Sequence, residues 1–161
     1  MKLWRIARAK HQRLDGEGAR LNGGRWNSEG YAVIYAASSA PLAVLELLVH
    51  VEVEDLPTDL VLSEIAVPDD VGITEVRLNQ LPGDWNSMPD HPDCVRLGDE
   101  WVASSGTLLL RVPSAVMPRE TNMLINPEHA EMERVKVAAQ EPFTFDPRLI
   151  GSGPGSTGYR S

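Results

Sequence analysis

Glu46 stands alone. No other Asp, Glu, Lys or Arg occurs between residues 30 and 51, and it sits within the apolar run "PLAVLELLV". On a helix, positions 42, 45, 46 and 49 share a face, which puts this carboxylate among Leu42, Leu45 and Val49. A carboxylate on such a stripe is costly unless it is paired or put to use. It is either half of a structural ion pair, with Arg25 or Arg111 as partner, or a group that works on a ligand.

Arg25 follows two glycines in "NGGRWN". Its guanidinium offers a rigid fork of donors that suits bidentate recognition of phosphate or carboxylate. Glycines just before it permit a sharp turn or a close backbone approach. By itself the motif has neither P-loop nor dinucleotide-fold spacing and reads as an arginine on an exposed hairpin. Tyr35, in "AVIYAA", reads as a core tyrosine with a satisfied hydroxyl or as a wall for a ligand ring. Ser114 lies between prolines in "RVPSAVMP", where most serines cap a turn, and no G-x-S-x-G elbow surrounds it. In "NMLINPEHAEM", Asn126 and His129 either face a pocket or fix the turn after a strand end. The turn is the better reading, and Asn126 is kept as a candidate ligand contact. His11, His50, His91 and His129 are scattered without ligand spacing, so no metal site is expected.

The elements that must position these groups are legible in outline. "LWRIAR", "AVIYAAS", "DLVLSEIAVP", "GITEVR", "TLLLRVPSAV" and "RVKVAAQEPFTF" read as strands. "SSAPLAVLELLVHV" reads as a helix in which Ser39 caps the first amides and Pro41 occupies the first turn. "LPGDWNSMPDHPDC" is dense in turn residues and reads as a long loop. "DCVRLGDEWVAS" reads as a short helix capped by Asp93. Strands outnumber helices and do not alternate with them, which indicates an α+β fold rather than a doubly wound sheet.

The chain has 161 residues, enough for one domain with its own core. A formal net charge of −8 argues against nucleic acid as a bulk partner, yet leaves room for a small anion held by local arginines. The start "MKLWRIARAKHQR" lacks the apolar segment of a signal peptide, and residues 32 to 49 are interrupted by Ser38, Ser39, Pro41 and Glu46. With the single Cys94, these features indicate a cytoplasmic protein with no membrane span. Residues 1–150 read as one domain, and the Gly/Ser-rich residues 151–161 as a flexible tail.

Two blocks, "GARLNGGRWNSEGYAVIYAASSAPLAVLELLVH" and "LGDEWVASSGTLLLRVPSAVMPRETNMLINPEHAEM", together resemble the RES domain, named for its Arg, Glu and Ser. The resemblance covers nearly all of residues 1–149. It implies a fold like that of ADP-ribosyltransferases of the diphtheria-toxin kind, with a split mixed β-sheet core and flanking helices around an NAD cleft. It further implies a toxin of an Xre–RES toxin–antitoxin module that depletes NAD by hydrolysis or by phosphorolysis, without a metal. Transfer of ADP-ribose to a protein is the alternative activity, and an NAD- or ADP-ribose-binding module without turnover is a third reading. By the match, the family's arginine, tyrosine, glutamate and serine fall on Arg25, Tyr35, Glu46 and Ser114. The implied roles are the pyrophosphate grip for Arg25, the nicotinamide wall for Tyr35, charge stabilisation for Glu46 and a pocket hydrogen bond for Ser114. The implied partners are NAD, inorganic phosphate and an Xre-type antitoxin that occludes the site, with DNA reached only through the antitoxin.

Overall fold

Alternating residues in β1 (Lys2–Arg8) and β3 (Leu60–Ala66) zip the two strands together antiparallel, from Lys2 opposite Ala66 to Arg8 opposite Leu60. The computed structural model describes residues 1–52 and 55–151. β7 (Lys136–Phe143) adds to the far edge of β3, with an irregularity at Glu64/Ile65. A second group forms from β4 (Ile73–Glu75), β5 (Leu109–Pro113), β6 (Thr121–Ile125) and β2 (Ile34–Ala37). The full order is β4-β5-β6-β2-β1-β3-β7; β4 and β5 run parallel and the other neighbours antiparallel.

The two groups share almost no backbone pairing. β2 and β1 are joined by one residue pair, Trp4 opposite Ala37. Beyond it, at Arg5 and Ala36, the ladder stops and both residues line a cavity. The expected α+β class and split mixed sheet are both observed.

Strand alternation sends Ile34 and Ala36 into one core with Leu3, Ile65, Met123 and Ile125. Val33 and Tyr35 point the other way, with Leu110, Val112 and Leu124. That second face is covered by α3 (Pro92–Ser104) through Cys94, Trp101 and Val102. α2 (Ala40–Leu48) packs Leu42 and Ala43 against Ala37, Trp4 and Ile6. Its start is as expected: the Ser39 hydroxyl accepts from the Leu42 amide at 3.3 Å, and Pro41 lies in the first turn.

Other elements differ from expectation. A short helix, α1 (Glu17–Asn22), occupies a stretch with no periodic apolar signal, and its residues are none of them buried. "NMLI" is more than a strand end, because it forms most of β6, paired on both sides. α3 is capped by His91, whose Nδ1 accepts from the Asp93 amide at 3.2 Å, while Asp93 itself lies in the first turn. No helix among the described residues is long and apolar enough to cross a membrane. The expected flexible tail falls, apart from Gly151, on residues outside those described.

Candidate functional site

The glycines of "NGGRWN" each meet a different requirement. Gly23 ends α1 with φ +67°, a left-handed conformation that side chains rarely adopt, and its amide bonds to the Ala19 carbonyl at 2.8 Å. Gly24 and Asn27 then exchange backbone hydrogen bonds of 2.9 and 3.2 Å, which makes Arg25 and Trp26 the tip of a minimal hairpin. A Cβ on Gly24 would stand 2.7 Å from the Tyr35 hydroxyl oxygen. That hydroxyl accepts from the Trp26 amide at 3.1 Å and donates to Asn27 Oδ1 at 2.7 Å. Asn27 is buried and donates to the carbonyls of Ala19, Ser28 and Tyr31. From α3, Asp99 accepts from the Ser28 amide at 2.8 Å and the Ser28 hydroxyl at 2.6 Å. Trp26 is buried against Trp85, ring centroids 6.2 Å apart. The hairpin is therefore clamped rather than exposed.

Arg25 reaches from this tip to the loop before α3. It donates to the carbonyls of Trp85 at 3.0 Å and Ser87 at 3.1 Å and to Met88 Sδ at 3.4 Å, and it pairs with Asp90 at 3.0 Å. Its side chain is only 14% exposed. Asn86, Met88 and Asp90 line the cavity beside it, so Arg25 braces one cavity wall.

Glu46 pairs with neither of the arginines considered for it, since Arg25 is engaged by Asp90 and Arg111 by Glu75 at 3.6 Å. Its Oε1 instead accepts from two neutral donors, the Ser114 hydroxyl at 2.6 Å and Asn122 Nδ2 at 2.5 Å. The stripe expected to bury it is buried only at its start: Leu42 is enclosed and Val49 is 57% exposed. Only the first turns of α2 rest on the sheet, and the later ones overhang the cavity, with Glu46, Leu47, Val49 and His50 along its wall. Ser114 is fully buried and does not line the cavity. It accepts from the amides of Val116 at 3.2 Å and Met117 at 2.9 Å, so the turn orients the hydroxyl that holds Glu46.

The cavity encloses about 720 Å³, in the range of small-molecule sites. It runs along the split between β1 and β2, with Arg25, Tyr35 and Glu46 all on its walls. Asn126 is not there. Its amide bonds to the Leu108 carbonyl at 3.0 Å, and its Oδ1 accepts from the Glu128 amide at 2.9 Å, so it fixes the turn after β6. Asn122 takes the place beside Glu46, and its buried Oδ1 has no hydrogen-bond partner among the described residues. Reading "ETNML" as a full strand would have pointed Asn122 to the Tyr35 face, since Asn122 pairs with Ala37 two residues away. No three His, Cys, Asp or Glu among the described residues group as a metal ligand set.

Burial is the main reason the Tyr35 phenol is pushed well above its ordinary value, with the Trp26 amide acting in the opposite direction. The hydroxyl stays protonated in the fold where an unfolded tyrosine ionises, at about pH 10. Above that pH the unfolded chain releases a proton that the native state keeps, so stability falls as pH rises. Tyr35→Phe should cost about 1–2 kcal/mol near neutrality, from the two lost hydrogen bonds. The gap between variant and wild type should then narrow in urea melts taken from pH 9 to 11. A gap independent of pH would contradict this reading of the phenol.

A family model, the RES domain, matches residues 2–146. The Prs ADP-ribosylating toxin of Sphingobium sp. (strain YBL2) is 42% identical over 153 residues, spanning 91% of this chain and 95% of its own. Toxin Res of Pseudomonas putida is 40% identical over 152 residues, 93% of this chain and 100% of its own. In the crystal structure of the M. tuberculosis MbcT–MbcA toxin–antitoxin complex, one chain superposes with TM-score 0.76 at 21% identity. That likeness covers 92% of this chain and 86% of the other, and it speaks for the fold alone. With the family model spanning nearly every described residue and curated relatives matched almost end to end, the chain belongs to the RES domain family.

Proposed function

We propose that this protein is the toxin of a toxin–antitoxin module and cleaves the nicotinamide–ribose bond of NAD, passing ADP-ribose to water or inorganic phosphate. The observation that carries this reading is Glu46: a carboxylate on a cavity wall, held through Oε1 by Ser114 and Asn122 and with no donor on Oε2 among the described residues. Bond cleavage at the ribose passes through an oxocarbenium-like state, as in glycoside hydrolysis. Nicotinamide leaves as a neutral ring, so little acid assistance is needed. A fixed negative charge that orients the ribose hydroxyls and meets the developing positive charge lowers the barrier. Both of the donors to Glu46 are neutral, so no cation is paired with it among the described residues. Tyr35 walls the nicotinamide, and its hydroxyl is spent on holding the hairpin. Ser114 acts through Glu46 rather than on the substrate, and Arg25 braces the wall that the dinucleotide lies against.

The relative named an ADP-ribosylating toxin favours a second reading, transfer of the same ADP-ribose group to a protein side chain. One assay separates them. The purified protein is incubated with NAD, with and without phosphate, and the products are identified by mass spectrometry. Free ADP-ribose, or ADP-ribose 1″-phosphate when phosphate is present, is the expected result. NAD loss that requires an added protein, which gains the ADP-ribose mass, would assign the chain to the transferase reading. Unchanged NAD under all these conditions would overturn both.

The solved toxin–antitoxin complex supports a protein partner for this chain as well. We infer an Xre-type antitoxin that closes the cavity in the cytoplasm, with DNA bound only by that partner.

A further inference from the structure

Both donors that hold Glu46 come from one hairpin. β5 and β6 pair antiparallel, with Val112 opposite Asn122 and Pro113 opposite Thr121. The Ser114 amide then donates to the Glu120 carbonyl at 3.0 Å, and residues 114–120 make the turn. Ser114 and Asn122 thus stand on the two arms of the hairpin and meet at a single atom, Glu46 Oε1, at 2.6 and 2.5 Å. The arms are well braced. β2 backs Asn122 on its other side, through Ala37, and the Ser114 hydroxyl is held by the Val116 and Met117 amides. The two ends of the Asn122 amide fare differently: Nδ2 serves Glu46, while the buried Oδ1 has no hydrogen-bond partner among the described residues. An orphaned buried acceptor costs stability, and asparagine is a poor strand residue. If only the fold were at stake, a valine would suit this position better.

We propose that Asn122 is a positioning residue of the reaction: its amide fixes the Glu46 carboxylate in one orientation, so that Oε2 and the negative charge face the reacting ribose. A carboxylate held by one hydrogen bond still pivots about it, and a second donor on the same oxygen removes that freedom. The donor must also be neutral. A lysine or arginine in its place would hold Glu46 more firmly and cancel part of the charge that meets the oxocarbenium. Asn122 acts through Glu46 rather than on the substrate. The assignment deepens the NAD reading and rests on it for the reaction that Glu46 serves.

The test compares wild type with Asn122→Ala and Asn122→Val in NAD consumption, each made also on the Glu46→Gln background. Both variants should lose kcat by about tenfold to a hundredfold, the range in which a misplaced catalytic group costs rate, while KM for NAD stays within about twofold. On the Glu46→Gln background the same substitutions should leave the residual rate unchanged, because no charge remains to be aimed. An equal loss on both backgrounds overturns the proposal, since Asn122 would then act independently of Glu46. So does a raised KM with kcat kept, which would make Asn122 a substrate contact. Lost stability in urea melts with kcat kept would make it a structural residue, and that overturns the proposal too. Should Asn122→Val fail to fold, Asn122→Ala decides on the same criteria. Crystal structures of wild type and Asn122→Ala read the carboxylate without any activity. Wild type should show one Glu46 conformer on Ser114, and the variant a second conformer or one turned away. A wild type that leaves NAD untouched, with that contrast present, retains the positioning role and loses the NAD assignment. An identical single conformer in both proteins overturns the positioning role itself.

Discussion

Glu46→Gln should fold as wild type does, keep most of its affinity for NAD and lose turnover by roughly three orders of magnitude. The amide oxygen of glutamine accepts the hydrogen bonds that Ser114 and Asn122 now give to Oε1, so the anchoring survives the change. The charge does not. A preorganised electrostatic group of this kind is worth roughly 10²–10³-fold in rate when removed, and a full charge facing an oxocarbenium belongs at the upper end. Three orders of magnitude correspond to about 4 kcal/mol of transition-state stabilisation. Because the loss falls on the transition state, kcat should drop while the dissociation constant of NAD moves little. Single-turnover kinetics and calorimetry on the same preparation measure the two separately. A glutamine variant that consumes NAD at close to the wild-type rate would take Glu46 out of the chemistry.

Gly98→Ala should be the most damaging small substitution for stability. In a helix interior, alanine for glycine usually gains about 0.5–1 kcal/mol. Here the added Cβ would lie 1.7 Å from the Trp26 carbonyl oxygen and 2.7 Å from its carbon. Both are backbone atoms of the clamped hairpin, so no side chain is free to swing aside. Either α3 moves away from the sheet or the hairpin is displaced, and both lose packing around Trp26, Trp85 and Trp101. The expected net cost is about 3 kcal/mol or more, at the severe end of overpacking. Gly18→Ala is the control: its Cβ meets nothing within 4 Å, and it should be neutral or stabilising. Chemical denaturation of the two variants beside wild type is sufficient. A Gly98→Ala protein as stable as wild type would mean that α3 does not bear on Trp26. The same displacement would shift Arg25 and Tyr35 together, so lost activity should accompany lost stability.

Local pattern by itself determined a good deal of this protein. The Ser39 and Pro41 start of α2, the turn chemistry at Gly23 and Gly24 and most of the strands follow from periods and caps within a few residues. The anomaly of a carboxylate in an apolar helix marks Glu46 without any structure. The short α1, with no fully buried residue, offers no such pattern, because its helix is held by its ends, by Ala19 against the core and by Asn27 reaching the Ala19 carbonyl. What each polar group touches was a tertiary decision. Glu46 meets Ser114 and Asn122, 68 and 76 residues away, rather than either arginine. Arg25 spends its donors on a loop 60 residues on. Arg5 becomes part of a cavity because β1 and β2 part after a single pair, and Gly98 has no room for a Cβ because the hairpin backbone lies against α3. Such contacts depend on which strands become neighbours, in what register and at what separation. Those choices are made by the summed packing of distant segments, and a local window of residues, however clearly patterned, does not contain that sum.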